Sequence, residues 1–219
     1  MKFIDENIER YCLEKSTIPS QNCKKLEQYT RENSEWSQML VGEMEGSFLG
    51  FLLRAIRAKR VLEIGTYTGY SALVMAENIA EDAEIVTLDF NEETVNIGKK
   101  FWQKSPQGVK IRSVLGQALE SMQRLEGKFD LIFIDADKEN YVNYLDKGLE
   151  LLSEHGIFVI DNCLWSGRVL NESGDESDKD ASTNGIRKLN DYVKSREDLY
   201  GVLLPIRDGM FMVIRNGNF

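Results

Sequence analysis

The chain predicts an α/β fold: a doubly wound, mostly parallel seven-stranded sheet that closes in an antiparallel C-terminal hairpin. Three observations carry this. From residue 60 to residue 161, strand-like apolar runs alternate with helix-like stretches. Two of those runs, 129–135 and 156–161, are apolar almost throughout, as parallel strands buried on both faces are. Asp208-Gly209 stands between the apolar runs 200–206 and 210–215, a two-residue hairpin signal.

The elements follow in order. Phe3, Ile4, Ile8, Tyr11 and Cys12 recur at helical spacing, so 3–16 reads as a helix that Pro19 stops. Ser20 caps a second, polar helix over 21–33. Met39-Leu40-Val41 is a short apolar run before Gly42. An apolar helix then ends among Arg54, Arg57, Lys59 and Arg60, cations that suit a helix C-terminus. The first strand is 60–64, followed by a helix over 70–80 and a strand over 84–89. Asn91 caps a helix to about 104, with Glu92 and Glu93 in its first turn. Pro106 and Gly108 turn the chain into a strand over 109–114, and a helix covers 117–126. Helix 139–152 separates the two apolar strands. Asn171 to Ser182 holds no large apolar residue, so 167–184 is expected to be a loop over or beside the site, before a helix over 185–196. There is no internal repeat.

At 219 residues, the chain is expected to form one domain with a full-sized core. A net charge of −9 argues against nucleic acid or an anionic membrane as partner. Cys12, Cys23 and Cys163 have no metal-type spacing and leave one unpaired, as in a reducing compartment. The acidic N-terminus is unlike a signal peptide, and no apolar run is long enough to span a bilayer. The expectation is a cytoplasmic protein.

Ligands of open α/β sheets bind at the carboxyl ends of the strands. The first strand runs into Glu63-Ile64-Gly65-Thr66-Tyr67-Thr68-Gly69-Tyr70-Ser71: strand, glycine turn, helix N-terminus. The pattern lacks the middle glycine of a dinucleotide turn, and an acid at Glu63 would repel a pyrophosphate. It suits a ligand with a positive centre and an amino group, as S-adenosylmethionine has. Asp89, ending the second strand, is placed to grip a ribose diol, or else to cap the next helix.

Asp135, Asp161 and Asn162 bring two carboxylates and an amide to one sheet edge. These hard oxygens suit Mg²⁺ best, with Mn²⁺ or Ca²⁺ also fitting, unless they serve only to cap strand ends. Lys138 stands on the same edge. Beside a bound cation its charged form is disfavoured, which fits it to act as a base; the alternative is a surface ion pair. Trp165 is placed to wall an aromatic substrate. His155 reads as a surface residue in a turn, and Cys163 as a packing residue.

Three segments, Val61–Ser71, Phe133–Tyr141 and Ile160–Gly167, closely resemble the cation-dependent O-methyltransferases, which include the catechol and caffeoyl-coenzyme A enzymes. The resemblance runs from about Met39 to the C-terminus, and residues 1–38 resemble the family's variable helical cover. It implies a Rossmann-like methyltransferase fold, S-adenosylmethionine as cofactor and a homodimer. It implies that Val41, Gly65, Thr66, Tyr70 and Ser71 surround the methionyl end near Glu63. It gives Asp89 the ribose, Gln117 and Ala118 the adenine, and Asp137 the amino group. Asp135, Asp161 and Asn162 would bind the divalent cation, with Lys138 as base.

The implied acceptor is a small phenol. A free one is expected rather than a coenzyme A thioester, because near 168–184 only Arg168, Lys179 and Arg187 would meet phosphates. A phenol has a pKa of about 10. Chelation of two vicinal oxygens by a cation would lower it, so catechol-type diols should react and monohydroxy phenols should not. A methyltransferase with another acceptor and a nicotinamide-dinucleotide oxidoreductase are the alternatives.

Overall fold

The computed structural model describes residues 4–170 and 180–217. Seven strands among them, β1 (Arg60–Ile64), β2 (Glu84–Asp89), β3 (Ile111–Leu115), β4 (Phe129–Ile134), β5 (Leu152–Ile160), β6 (Leu199–Leu204) and β7 (Met210–Arg215), form one sheet in the order β3-β2-β1-β4-β5-β7-β6. The first five pair in parallel, while β7 lies antiparallel to both β5 and β6. The expected fold class is therefore observed.

Helices cover both faces. On one lie α2 (Gln21–Asn33), α3 (Glu43–Ile56), α4 (Tyr70–Ala76) and α5 (Glu92–Trp102). On the other lie α6 (Ala118–Gln123), α7 (Tyr141–Leu151) and α8 (Ala181–Ser195). Val61, Ile85, Leu131, Phe133 and Val159 face the first group, and Leu62, Ile64, Val86, Ile132 and Ile160 the second. Side chains alternate along a strand, so Glu63, Asp89, Asp135 and Asp161 all belong to the α2–α5 side. The first helix, α1 (Glu6–Lys15), has no buried residue.

Caps explain several ends. Ser20 accepts from Asn22 N–H (3.1 Å), and Asn91 from Glu93 N–H (3.0 Å). The helix expected over 70–80 stops at Ala76, where Lys110 Nζ satisfies the carbonyls of Ala76 (3.1 Å) and Ile79 (2.9 Å). Residues Pro106–Lys110 form a 3₁₀ turn, so β3 starts at Ile111 rather than 109. Lys138–Asn140 are likewise a separate 3₁₀ turn ahead of α7.

Three expectations need larger correction. The strand expected from 156 starts at Leu152, because Phe129 pairs with Leu152 but Leu131 with Ile157 across a bulge; His155 is thus an exposed strand residue, not a turn residue. The loop expected over 167–184 ends earlier: Asp180 accepts from Thr183 N–H (3.1 Å) and starts α8 at Ala181. The remainder of that loop, including Lys179, lies in 171–179, outside the described residues. The C-terminal hairpin is antiparallel as expected, but its connection is the five residues 205–209 rather than a two-residue turn. Pro205 has no N–H to extend the ladder, and Arg207 takes a left-handed φ of 49°.

Candidate active site

A cavity of about 1490 Å³ opens at the carboxyl ends of β1, β2, β4 and β5. Every site residue expected from the sequence borders it except Glu63. The glycine turn forms its floor. Gly65 has φ +100°, and a Cβ there would run into the Asp135 carbonyl oxygen, so only glycine lets β1 and β4 end side by side. Four of the turn's N–H groups are engaged within the protein, those of Gly65 and Gly69 by the carbonyls of Leu88 and Thr66. Asp89 Oδ2 accepts from Thr66 N–H (3.0 Å) and Tyr67 N–H (2.7 Å), while Asp89 Oδ1 accepts from Asn91 N–H (2.9 Å). Asp89 thus braces the turn, and the spare lone pairs of its two oxygens remain for a ligand hydroxyl.

Glu63 is fully buried behind the turn. Thr87 donates to its Oε2 (2.5 Å), and Thr66 and Thr87 hydroxyls are 2.6 Å apart. Burial pushes the Glu63 carboxyl up to about 8, with Ser71 and Thr87 pulling the other way. Tyr70 is also buried. Its hydroxyl has no partner among the described residues, and burial followed by the Glu27 charge raises its pKa. Val41 and Ser71 are buried where they meet the cavity, and Gln117 and Ala118 border it at the start of α6.

The wall beyond β4 and β5 carries the charged groups. Lys138 Nζ donates to Asp135 Oδ1 (2.9 Å) and to Tyr141 Oη (2.7 Å) and lies 5.7 Å from the Trp165 ring centre. Asp137 accepts from Tyr144 Oη and Asn140 Nδ2. Asp161 is 2% exposed and accepts from Asn162 N–H (2.7 Å). Burial, then the charges of Glu45 and Asp135, push the Asp161 carboxyl well above the usual range. Asn162 (φ 62°), Trp165 (φ 45°) and Ser166 (φ 53°) are left-handed non-glycine residues, a strained cluster of the kind found where a site dictates the backbone. Cys163 is buried in the core, as expected.

Two charged residues were missed. Glu45 is 1% exposed, and its Oε2 accepts from Gly42 N–H (2.6 Å) and Arg207 Nη1 (2.9 Å). The spacing of Gly42 and Glu45, half a capping box, was the available signal for the first bond. Nothing local signals Arg207. Tyr141 and Tyr144 were also missed; each follows Asp135 or Asp137 at a spacing that a 3₁₀ turn and helix bring together.

The oxygen donors fit a hard divalent cation. Asp135, Asp161 and Asn162 offer carboxylate and amide oxygens to one cavity, and a buried Asp161 beside two further acids calls for positive charge. Among the described residues no three His, Cys, Asp or Glu side chains gather as a metal cluster; this set counts two carboxylates and an amide.

A glycine turn after β1, an acid ending β2, a cavity over the parallel strand ends and an antiparallel β7 beside β5 together have the form of a class I S-adenosylmethionine-dependent methyltransferase. Similarity to known proteins agrees. The O-methyltransferase family model matches residues 13–216. A caffeoyl-CoA O-methyltransferase of Stellaria longipes is 33% identical over 214 residues, covering 94% of this chain and 88% of that protein. Caffeoyl-CoA O-methyltransferase 5 of Nicotiana tabacum is 38% identical over 169 residues, covering 74% and 70%. The SAH-bound crystal structure of the Podospora anserina methyltransferase PaMTH1 superposes with a TM-score of 0.88 at 28% identity, covering 99% of this chain and 98% of that one. The chain belongs to the O-methyltransferase family, of the caffeoyl-CoA O-methyltransferase type, and is an S-adenosylmethionine-dependent enzyme. The nicotinamide alternative is set aside. No described helix is long and apolar enough to cross a membrane.

Proposed function

We propose that the protein transfers the methyl group of S-adenosylmethionine to one hydroxyl of a small vicinal-diol phenol, in a reaction that depends on a divalent cation. The observation that carries this is the grouping of Asp135, Asp161, Asn162 and Lys138 on one cavity wall beside the glycine turn. Val41, Gly65, Thr66, Tyr70 and Ser71 would surround the methionyl end, with Glu63 behind them. Asp89 would take the ribose, Gln117 and Ala118 the adenine, and Asp137 the amino group.

Asp135, Asp161 and Asn162 would hold the cation, Mg²⁺ by preference and Mn²⁺ or Ca²⁺ as alternatives. A cation held there would lower the pKa of a chelated phenol, and holding the acceptor in place in this way can be worth roughly 7–11 kcal/mol. Lys138 takes the phenol proton at Nζ, which Asp135 Oδ1 and Tyr141 Oη hold in place. Trp165 flanks the aromatic ring. The product pair is a methyl ether and S-adenosylhomocysteine.

The names of the relatives favour caffeoyl-CoA as acceptor. The cations near the cavity favour a free phenol instead. Arg187 Nη2 donates to the carbonyls of Arg168 (2.7 Å) and Leu170 (3.2 Å), and Arg168 lies 3.7 Å from Asp180, so both are engaged within the protein. The same reading takes 1–219 as one domain with 1–38 as its helical cover, working as a cytoplasmic homodimer without nucleic acid or membrane. The test is methyl transfer from labelled S-adenosylmethionine to catechol, caffeate, caffeoyl-CoA and matched monohydroxy phenols. Transfer confined to vicinal diols is expected. Equal rates on monohydroxy phenols would overturn the chelation mechanism, and transfer to caffeoyl-CoA alone would overturn the free-phenol assignment.

A further inference from the structure

The β6–β7 connection, residues 205–209, touches both halves of the site. On one side Arg207 Nη1 donates to the Leu40 carbonyl (2.8 Å) and to Glu45 Oε2 (2.9 Å). Glu45 Oε2 also accepts from Gly42 N–H (2.6 Å), so the segment carrying Val41 is held at both ends by a pair whose carboxylate is buried. On the other side the same loop holds the segment after β5. The Gly209 carbonyl accepts from Cys163 N–H (2.9 Å), the Asp208 carbonyl from Leu164 N–H (2.8 Å), and Asp208 Oδ1 from Ser166 N–H (2.5 Å). Gly209 itself has no room for a Cβ against Leu164.

Both held segments are backbone that would not keep its shape alone. Leu40–Gly42 lies between a 3₁₀ turn and α3. Asn162–Ser166 contains three left-handed non-glycine residues. Arg207 is left-handed too, which fits a side chain whose partners hold its backbone there. Leu40 and Glu45 lie more than 160 residues before Arg207, and the bonds to them link the cofactor side directly to the C-terminal hairpin.

We propose that Arg207, with Glu45 and Asp208, is a positioning residue that couples occupancy of the S-adenosylmethionine side to the geometry of Asn162–Ser166, the segment that presents Asn162 and Trp165 to the acceptor. A ligand that orders Leu40–Gly42 orders Asn162–Ser166 through the loop, and by reciprocity a ligand on the second segment tightens the first. The inference rests on the proposed function for Val41 at the cofactor and for Asn162 and Trp165 on the acceptor side. The coupling itself is read with S-adenosylhomocysteine alone, without cation or acceptor, so a failed coupling and a failed cation mechanism are told apart.

The experiment is hydrogen–deuterium exchange on the full chain with and without S-adenosylhomocysteine, followed at the amides of Cys163, Leu164 and Ser166. Three variants accompany the wild type. Arg207→Lys keeps a cation on Glu45. The double variant E45Q/R207Q removes both charges, so no buried carboxylate is left unpaired. Asp208→Ala cuts the same chain at its far end while leaving the Glu45–Arg207 pair in place. Calorimetry checks that each variant binds S-adenosylhomocysteine. In the wild type and Arg207→Lys, the ligand should slow exchange at these amides by at least about 5-fold, the low end of ordinary site-to-site coupling. In E45Q/R207Q the ligand should bind and leave them unslowed, and Asp208→Ala should lose the protection of Ser166. Full protection in E45Q/R207Q, or no protection in the wild type, would overturn the proposal.

Discussion

Lys138 shows how much of this site rests on single side chains. Its Nζ donates to Asp135 (2.9 Å) and Tyr141 (2.7 Å), which fixes it at the wall where an acceptor oxygen would stand. Replacing it by methionine keeps the length and removes the proton acceptor. The turnover number should fall about 10²–10⁴-fold, the usual contribution of a positioned base, with binding of S-adenosylhomocysteine unchanged by calorimetry. A loss below 10-fold would remove Lys138 from the mechanism. Glu63 makes a different prediction. Its folded pKa is pushed from 4.5 up to about 8, so the folded protein keeps a proton that the unfolded chain releases. Its contribution to stability is therefore complete below pH 4.5 and is lost as pH rises through about 8. Urea midpoints at pH 5, 7 and 9 should fall with pH for the wild type, and less steeply for Glu63→Gln. Parallel slopes would show that Glu63 does not titrate in this way. The residue types at the strand ends were legible, and Lys138 stands three residues from both Asp135 and Tyr141, a spacing that its 3₁₀ turn brings together. The burial of Glu63 behind the cavity comes from packing and is not written in its neighbours along the chain.

Elements were legible where the local chemistry has one solution. β2 is found over Glu84–Asp89 as expected, because a β-branched apolar run is closed by an aspartate and an asparagine cap. The glycine turn after β1 was legible for the same reason, and its glycine has a sharp consequence. Gly65→Ala would place a Cβ against the Asp135 carbonyl and force a left-handed φ, a strain of about 1–3 kcal/mol before the clash is relieved. The variant should lose S-adenosylhomocysteine binding and melt earlier; near-native affinity and melting would contradict this account of the turn. The hairpin was misjudged because Asp-Gly signals a reversal but not its length. Pro205 interrupts the ladder and Arg207 is drawn toward Glu45, so the loop widens to five residues. The start of α8 was misjudged because Asp180, its N-cap, sits in a polar run that offers no apolar periodicity before Thr183.

At the scale of the whole molecule, the parallel order of β1, β2, β4 and β5 brings residues from four separate stretches to one edge, and alternation puts their acids on one face. That convergence follows from topology alone, which is why most of the site could be read before any coordinate. What could not be read is the set of bonds that cross the chain at long range. Thr30 Oγ1 meets Thr68 Oγ1 at 3.0 Å, tying α2 to the glycine turn, and Arg207 meets Glu45 at 2.9 Å, tying the last hairpin to α3. Neither pair has a spacing that periodicity can detect. If the strand-end oxygens hold a divalent cation as proposed, the phenol is not methylated without it. The most direct measurement is methyl transfer from labelled S-adenosylmethionine to catechol by the metal-stripped protein, titrated with Mg²⁺ and then with excess EDTA, alongside Asp161→Ala. Transfer should appear with Mg²⁺, vanish with EDTA and be absent in Asp161→Ala at any Mg²⁺ concentration. Transfer that persists in EDTA would contradict the account.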